Sequence, residues 1–325
     1  MINRREFIKA SATAAAGSML ATSPLMAAIQ NKSKISNVGL QLWSVAKILS
    51  EDFTGTLQLL KQSGYKEFEF FGPYPFSTQK DKDSWATITP MLGFSQSGYF
   101  GHTPKELKAI LDQNEISTPG MHVGLDTLRN KLSETAEAAN ILGQQYAGLA
   151  AIPEEERHTL DDYKRMADEF NKIGEKAKKL GIRFYYHNHG YGFKEMQGKI
   201  PFEVILERTD PALVFLEMDL YWTVAAGADP LKYLDANPGR YKLMHVKDMK
   251  KQVRFSGDGG NPKQWIELFP FITDAGSGIL DLKTILSHAK KSGVEHFVTE
   301  NDVMTNPKES LEKAYKYVSS LELND

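Results

Sequence analysis

Residues 184–193 read FYYHNHGYGF. An aromatic run enters His187, Asn188 and His189 and then meets Gly190, so a segment with the composition of a buried strand finishes on two imidazoles flanking an amide. With Ile182 and Arg183 in front, the run IRFYYHN (182–188) lies between glycines at 181 and 190. It is short, apolar on both faces and bounded by turn residues, which is how a strand of a covered parallel sheet reads.

Seven further runs share this character: NVGLQLWS (37–44), EFEFF (67–71), TPGMHV (118–123), QYAGLA (145–150), ALVFLEMD (212–219), YKLMHVKD (241–248) and HFVTEN (296–301). Helix-period stretches separate them, among them DFTGTLQLLKQSG (52–64), TLDDYKRMADEFNKIGEKAKKLG (159–181), DLKTILSHAKKSG (281–293) and NPKESLEKAYKYVSSL (306–321). Several of these end on lysine and then glycine, a normal helix stop. Strand alternating with helix implies parallel strands joined by helical crossovers. Eight such units predict an α/β fold, a single (β/α)8 TIM barrel over residues 33–325, with a doubly wound open sheet as the alternative. Two stretches, 73–103 and 249–279, are too long for simple loops. Both follow strands, which in a barrel places them over the C-terminal mouth where active sites lie. The glycine-rich FSGDGGNP (255–262) shows no clear helix start after it and is weak evidence for a phosphate cradle.

Ionisable residues inside a buried strand need a reason. Here they gather at strand ends: His122, His187 to His189, Glu217 with Asp219, His245 with Lys247 and Asp248, and Glu300, with Glu69 inside the second strand. Side chains two residues apart share a strand face. In a barrel all of these converge on one mouth, where imidazoles and carboxylates without thiols suit Mn²⁺, Co²⁺, Mg²⁺ or Zn²⁺. Each residue taken alone has an ordinary structural reading. Asp219 can cap the following turn, and Glu217 can pair inside the barrel. His158 in a charged helix approach and His288 in ILSHAKKSG read as surface residues.

On YHNHGYGF (186–193), MDLYWTVAAGADPLKYLDANPGRYKLMHVKDM (218–249), GSGILDLKTIL (276–286) and VTEND (298–302), the chain resembles the sugar phosphate isomerase/epimerase superfamily of xylose-isomerase-like barrels, which includes ketose 3-epimerases and inosose dehydratase. The resemblance covers nearly the whole chain after residue 33. It implies one divalent ion held by residues of the fifth to eighth strands. Asp219, His245 and Glu300 match the last three ligands, and His187 falls where ketose epimerases carry glutamate; His189 is the alternative to His187. The resemblance further implies proton removal next to a sugar carbonyl, with Glu300, His189 and Lys247 as catalytic candidates. His122, Glu69, Glu217, Asn188 and Trp222 are substrate-contact candidates, Trp222 as a stacking face for a sugar ring or as packing.

Replacing one of two metal-bound glutamates by His187 puts two-base epimerisation in doubt, so His189, His122, Lys247 or Glu217 would have to serve as the second base. The expected activity is a metal-dependent sugar isomerase or epimerase. The alternatives are a lyase or hydratase acting on 3-keto-glycosides and a non-catalytic sugar-binding barrel. Trp222 stands where endonuclease IV has a histidine ligand, which argues against a nuclease, and the family's GEG appears as GSG (276–278).

The 325-residue chain has no cysteine and a formal charge of −2. These exclude disulfides, thiolate metal sites and a cysteine nucleophile, and disfavour nucleic acid as a partner. Residues 1–28 resemble a twin-arginine export signal, with Arg4 and Arg5 before an alanine-rich run too short to span a membrane. The expected location is therefore the periplasm, without a membrane anchor. There free or oxidised sugars are more plentiful than sugar phosphates, and a small carbohydrate is the expected partner. A homodimer is compatible with the resemblance.

Overall fold

The computed structural model describes residues 32–324; the proposed export segment, residues 1–28, lies outside them. Eight parallel strands close into a barrel in chain order: β1 (Val38–Gln41), β2 (Glu67–Phe71), β3 (Gly120–His122), β4 (Tyr146–Leu149), β5 (Arg183–His187), β6 (Val214–Asp219), β7 (Tyr241–Val246) and β8 (His296–Thr299). Closure comes from β8 pairing with β1, Phe297 beside Val38 and Thr299 beside Leu40. The single (β/α)8 barrel expected from the alternation is the fold, and the open doubly wound sheet is not.

Helices form the outer layer because their sequences carry one apolar stripe and their own stop signals. Leu160–Lys179 shows both. Thr159 and Asp162 cap each other's backbone N–H at its start, and Leu160, Tyr163, Met166, Ala167, Phe170 and Ile173 form its buried face. Leu132–Leu142 and Leu282–Ser292 each end on a glycine in the left-handed region, Gly143 and Gly293.

Inside the barrel, alternation sorts β2 cleanly. Glu67 and Glu69 reach partners within the barrel, while Phe68 and Phe70 are buried between sheet and helices. Tyr146 and Tyr185 fill the interior with Leu243. Gly148 on β4 makes room for them, since a Cβ there would lie 2.2 Å from the Tyr185 ring. A register step matters more for the mouth. Leu216 pairs with Tyr241 but Glu217 with Leu243, so Lys242 is an extra residue on β7. Without this bulge Asp219 would lie beside Met244; with it, Asp219 lies beside His245.

Both long segments sit over the C-terminal ends of the strands. Trp85 and Phe94, from 73–103, pack on Trp43 and Phe71 just past β1 and at the end of β2. From 249–279, Phe255 and Trp265 cover Trp222 and His189. One expectation here is corrected. A short helix, Pro262–Leu268, does follow the glycine-rich stretch, with Asn261 as its cap and proline at its first turn. Among the described residues, no helix is long and apolar enough to cross a membrane.

Candidate metal centre at the barrel mouth

The ends of β6, β7 and β8 bring three donors together. Single ligand atoms of Asp219, His245 and Glu300 lie within 4.8 Å of one another, and all three residues are buried. His245 Nδ1 is 2.6 Å from Glu300 Oε2 and 3.8 Å from Asp219 Oδ2. His187 Nε2 approaches the same Asp219 oxygen at 3.8 Å. Asp219 divides its carboxylate. Oδ1 accepts the Trp222 N–H and caps the helix Leu220–Ala225, while Oδ2 faces the cluster. The capping and ligand readings of Asp219 therefore describe two oxygens of one side chain.

Two atoms of this cluster, Asp219 Oδ2 and His245 Nδ1, are buried without a hydrogen-bond partner, their close neighbours being out of line for one. Buried polar atoms left unpaired are expensive. A divalent cation between them would satisfy both, and the nitrogen and oxygen donors suit such an ion, so the residues fit the metal that the sequence implies.

Beneath the donors lies a layer of carboxylates. Glu217 Oε2 is 3.0 Å from His187 Nδ1 and 2.8 Å from His122 Nε2, and Glu217 Oε1 is 3.2 Å from His245 Nε2. Glu69 accepts from Tyr185 Oη at 2.5 Å, Gln41 Nε2 at 2.7 Å and His245 Nε2 at 2.7 Å. Both carboxylates are fully buried. Both bond to side chains of other strands inside the barrel.

Lys247 lies in the same cluster. Its ammonium lies 3.0 Å from Asp219, 2.8 Å from Glu300 and 2.8 Å from Asp302. Burial alone would lower its pKa, but Asp219, Asp302 and Glu300 outweigh burial and raise it well above the usual range. Lys247 is thus a fixed cation and not a proton acceptor. Burial opposes ionisation of Glu300, yet Lys247 and His245 hold it well below the usual carboxylate range. Asp302 had not been singled out from the sequence. Burial, with Glu300 and Asp219 nearby, pushes it up to about 6 against the pull of Lys247.

His189 is absent from the donor groups among the described residues. Its ring lies between Trp265 (centroids 4.5 Å apart) and Trp222 (5.2 Å). Burial, then the neighbouring His187 and Lys247, lower its pKa to about 3, so its ring is neutral, and its buried Nδ1 has no hydrogen-bond partner. Trp222 itself is fully buried, covered by His189 and by Phe255 in near-parallel contact. Its packing reading holds here; the open stacking face does not. Asn188 donates to Thr223, tying the end of β5 to the helix after β6. His122 keeps a partly open side chain, 12% exposed. His158 is exposed and His288 lies on a helix surface beside Asp235.

The GSG segment has a physical explanation. Asp248 accepts four backbone N–H groups, from Met249, Gly276, Gly278 and Leu280. A Cβ on Gly278 would lie 2.3 Å from the Asp248 carboxylate, so only glycine lets the loop close on it. Asp274, just before, accepts from Asn301, the residue between Glu300 and Asp302. Asp248 thus anchors the loop that steadies the β8 end.

Comparison with known proteins agrees with this fold. The family model for the xylose isomerase-like TIM barrel matches residues 57–320. The inosose dehydratase of Lacticaseibacillus casei is 27% identical over 265 residues, covering 72% of this chain and 86% of that protein. A solved sugar phosphate isomerase/epimerase from Parabacteroides distasonis aligns with a TM-score of 0.64 at 24% identity, over 91% of this chain and 96% of that one. The IOLI protein, solved with a zinc atom, aligns with a TM-score of 0.60 at 14% identity, over 86% and 95%. At these identities the solved structures speak for the fold.

Proposed function

The chain belongs to the xylose isomerase-like TIM barrel family, and on that footing we propose that it is a divalent-metal-dependent enzyme that removes the proton next to a sugar carbonyl. The observation that carries this is the convergence of Asp219, His245 and Glu300, with His187 alongside. A divalent ion bound there supplies a Lewis acid that polarises the carbonyl and stabilises the charge developing on its oxygen. Glu300, at the mouth within the donor cluster, accepts the proton. Lys247, fixed as an ammonium beside it, balances the charge of Asp219, Glu300 and Asp302. Trp222, Trp265 and Phe255 around His189 screen the site from water.

The fate of the carbanion separates the family's reactions. Epimerisation needs proton acceptors on both faces of the substrate; elimination needs one acceptor and one acid. With His187 standing where ketose epimerases carry glutamate, Glu300 remains alone of the family's two bases, which favours elimination, in keeping with the likeness to an inosose dehydratase. The epimerase reading retains one supporting observation: His122, across the barrel, is bonded to Glu217 through Nε2 and is partly open. The substrate we propose is a free or oxidised sugar, a 3-keto-glycoside in the elimination reading, met in the periplasm after twin-arginine export.

Proton NMR in D₂O tests this, using metal-stripped protein reloaded with Mn²⁺, Co²⁺ or Zn²⁺ and a panel of ketoses and 3-keto-glycosides. Loss of the α proton with release of the aglycone supports elimination, and deuterium gain with a new isomer supports epimerisation. No metal-dependent change on any substrate would leave the sugar-binding barrel standing.

A further inference from the structure

We infer that residues 253–268 form a cover that opens as a unit, and that Arg157 is the positioning residue that latches it shut over His189 and Trp222. The cover is pinned at its base, where Asp248 and Met249 pair antiparallel with Thr273 and Ile272. Above that base most of its side-chain bonds are internal. Trp265 Nε1 donates to Gly259 O at 2.7 Å, Gly259 N to Gln264 Oε1 at 2.7 Å, and Ser256 Oγ to Glu267 at 2.8 Å. A segment whose ends lie together and whose bonds stay within it can open without disturbing the elements around it.

Among the described residues, three hydrogen bonds tie 253–268 to the rest of the chain. Phe255 N donates to Ala225 O, Tyr221 Oη to Leu268 O, and Arg157 Nη2 to Gly260 O. The first two hold the two ends of the cover; Arg157 alone holds its glycine-rich tip. Arg157 stands on a firm frame after β4. Its Nε donates to Ile152 O at 2.8 Å, and its guanidinium lies 4.0 Å over the ring of Tyr191, whose hydroxyl in turn accepts from Ile152 N. The side chain is buried, and its partners among the described residues are two carbonyls and a ring, with no carboxylate. The 2.7 Å bond to Gly260 is therefore one of few that serve a buried charge. Glycine is required opposite it, since a Cβ at 260 would lie 2.8 Å from Arg157 Nη1.

Two observations point to movement. Beneath Phe255 and Trp265, His189 Nδ1 and Trp222 Nε1 are buried without hydrogen-bond partners. Unpaired buried polar atoms are costly, and a cover that lifts lets water or a sugar hydroxyl satisfy both. Beside the segment, a cavity of about 150 Å³ lined by Lys194, Ala225, Arg254, Phe255 and Asp258 leaves that flank loosely packed.

Hydrogen exchange of the full chain, read by mass spectrometry on peptic fragments, tests the latch without metal or substrate, so its outcome is separate from that of the functional proposal. In Arg157→Ala the amides of 253–268 should exchange about 10- to 100-fold faster, the range for losing a hydrogen bond from a charged donor, while those of β6 and β7 keep the parent rate. Acrylamide should quench the tryptophan fluorescence of the variant more strongly. Guanidinium ion at a non-denaturing concentration should refill the vacated site and slow exchange in the cover again, where the same concentration of ammonium does not. Arg157→Lys keeps the charge without the forked donors and should give a smaller increase; it carries the test if Arg157→Ala does not fold. Faster exchange across the whole barrel, or an increase in the cover that guanidinium does not reverse, would reduce Arg157 to a structural residue and overturn the latch. Unchanged exchange in the cover of both variants would overturn it as well.

Discussion

Lys247 is the residue on which the charge balance of the mouth turns. Its ammonium is 1% exposed and sits among Asp219, Glu300 and Asp302. Removing one partner of a buried ion cluster leaves the others uncompensated, at about 3–5 kcal/mol. Lys247→Met is therefore expected to lower stability by about that amount in urea unfolding without metal, and added Zn²⁺ should restore part of it by supplying positive charge. A variant as stable as the parent would show that the three carboxylates do not depend on this cation. Glu300 behaves differently. Glu300→Gln should abolish turnover while calorimetric sugar binding survives; a variant that still turns over would remove Glu300 from the chemistry.

At the scale of single elements, close packing inside the barrel supports the site from below. Tyr185 fills the space opposite Gly148 and donates to Glu69, which in turn holds His245. Gly148→Ala forces a Cβ onto the Tyr185 ring, and overpacking of this kind costs about 1–3 kcal/mol. We expect a lower thermal midpoint together with weaker metal binding. A fall in stability with metal affinity intact would mean that Tyr185 and Glu69 do not transmit strain to His245.

The same elements show what could be read from the chain alone. All eight strands were legible, because parallel strands covered on both faces are short apolar runs between helical stretches. The gathering of His187, Asp219, His245 and Glu300 at one end was legible too, because period two places them on the inner face. What lies across the barrel was not. Glu69 and Glu217 look like mouth residues from their spacing, yet their bonds run to imidazoles on other strands. Trp222 looks like a sugar platform until Phe255, far along the chain, is seen covering it. The Lys242 bulge leaves no mark on the alternation, though it decides what lies beside Asp219. Asp302 was within reach, since it stands two residues from Glu300 as Lys247 stands two from His245.

For the whole molecule, the two ends of the barrel differ: the C-terminal mouth carries the candidate metal centre, and the other end carries a buried ion pair that bears on stability. His296 opens β8 and lies 3.0 Å from Glu67 on β2. Burial alone would lower its pKa, but the hydrogen bond and charge of Glu67, with Glu295, raise it. A histidine raised in the folded state adds stability that is fully present below its unfolded value of about 6.5 and is lost as pH rises through the folded value. The stability gap between the parent and His296→Gln should therefore be widest in mildly acid solution and shrink as pH rises, as read by denaturant unfolding at several pH values. A gap independent of pH would assign His296 to packing alone.

The central claim is that one divalent ion sits where β5 to β8 end. Anomalous diffraction at the metal edge, from crystals of protein reloaded with Mn²⁺ or Zn²⁺, tests it most directly. The account predicts a single strong peak in contact with His187 Nε2, Asp219, His245 Nδ1 and Glu300. A peak instead among His122, Glu217 and the inner nitrogens of His187 and His245, or no peak inside the barrel at all, would contradict it.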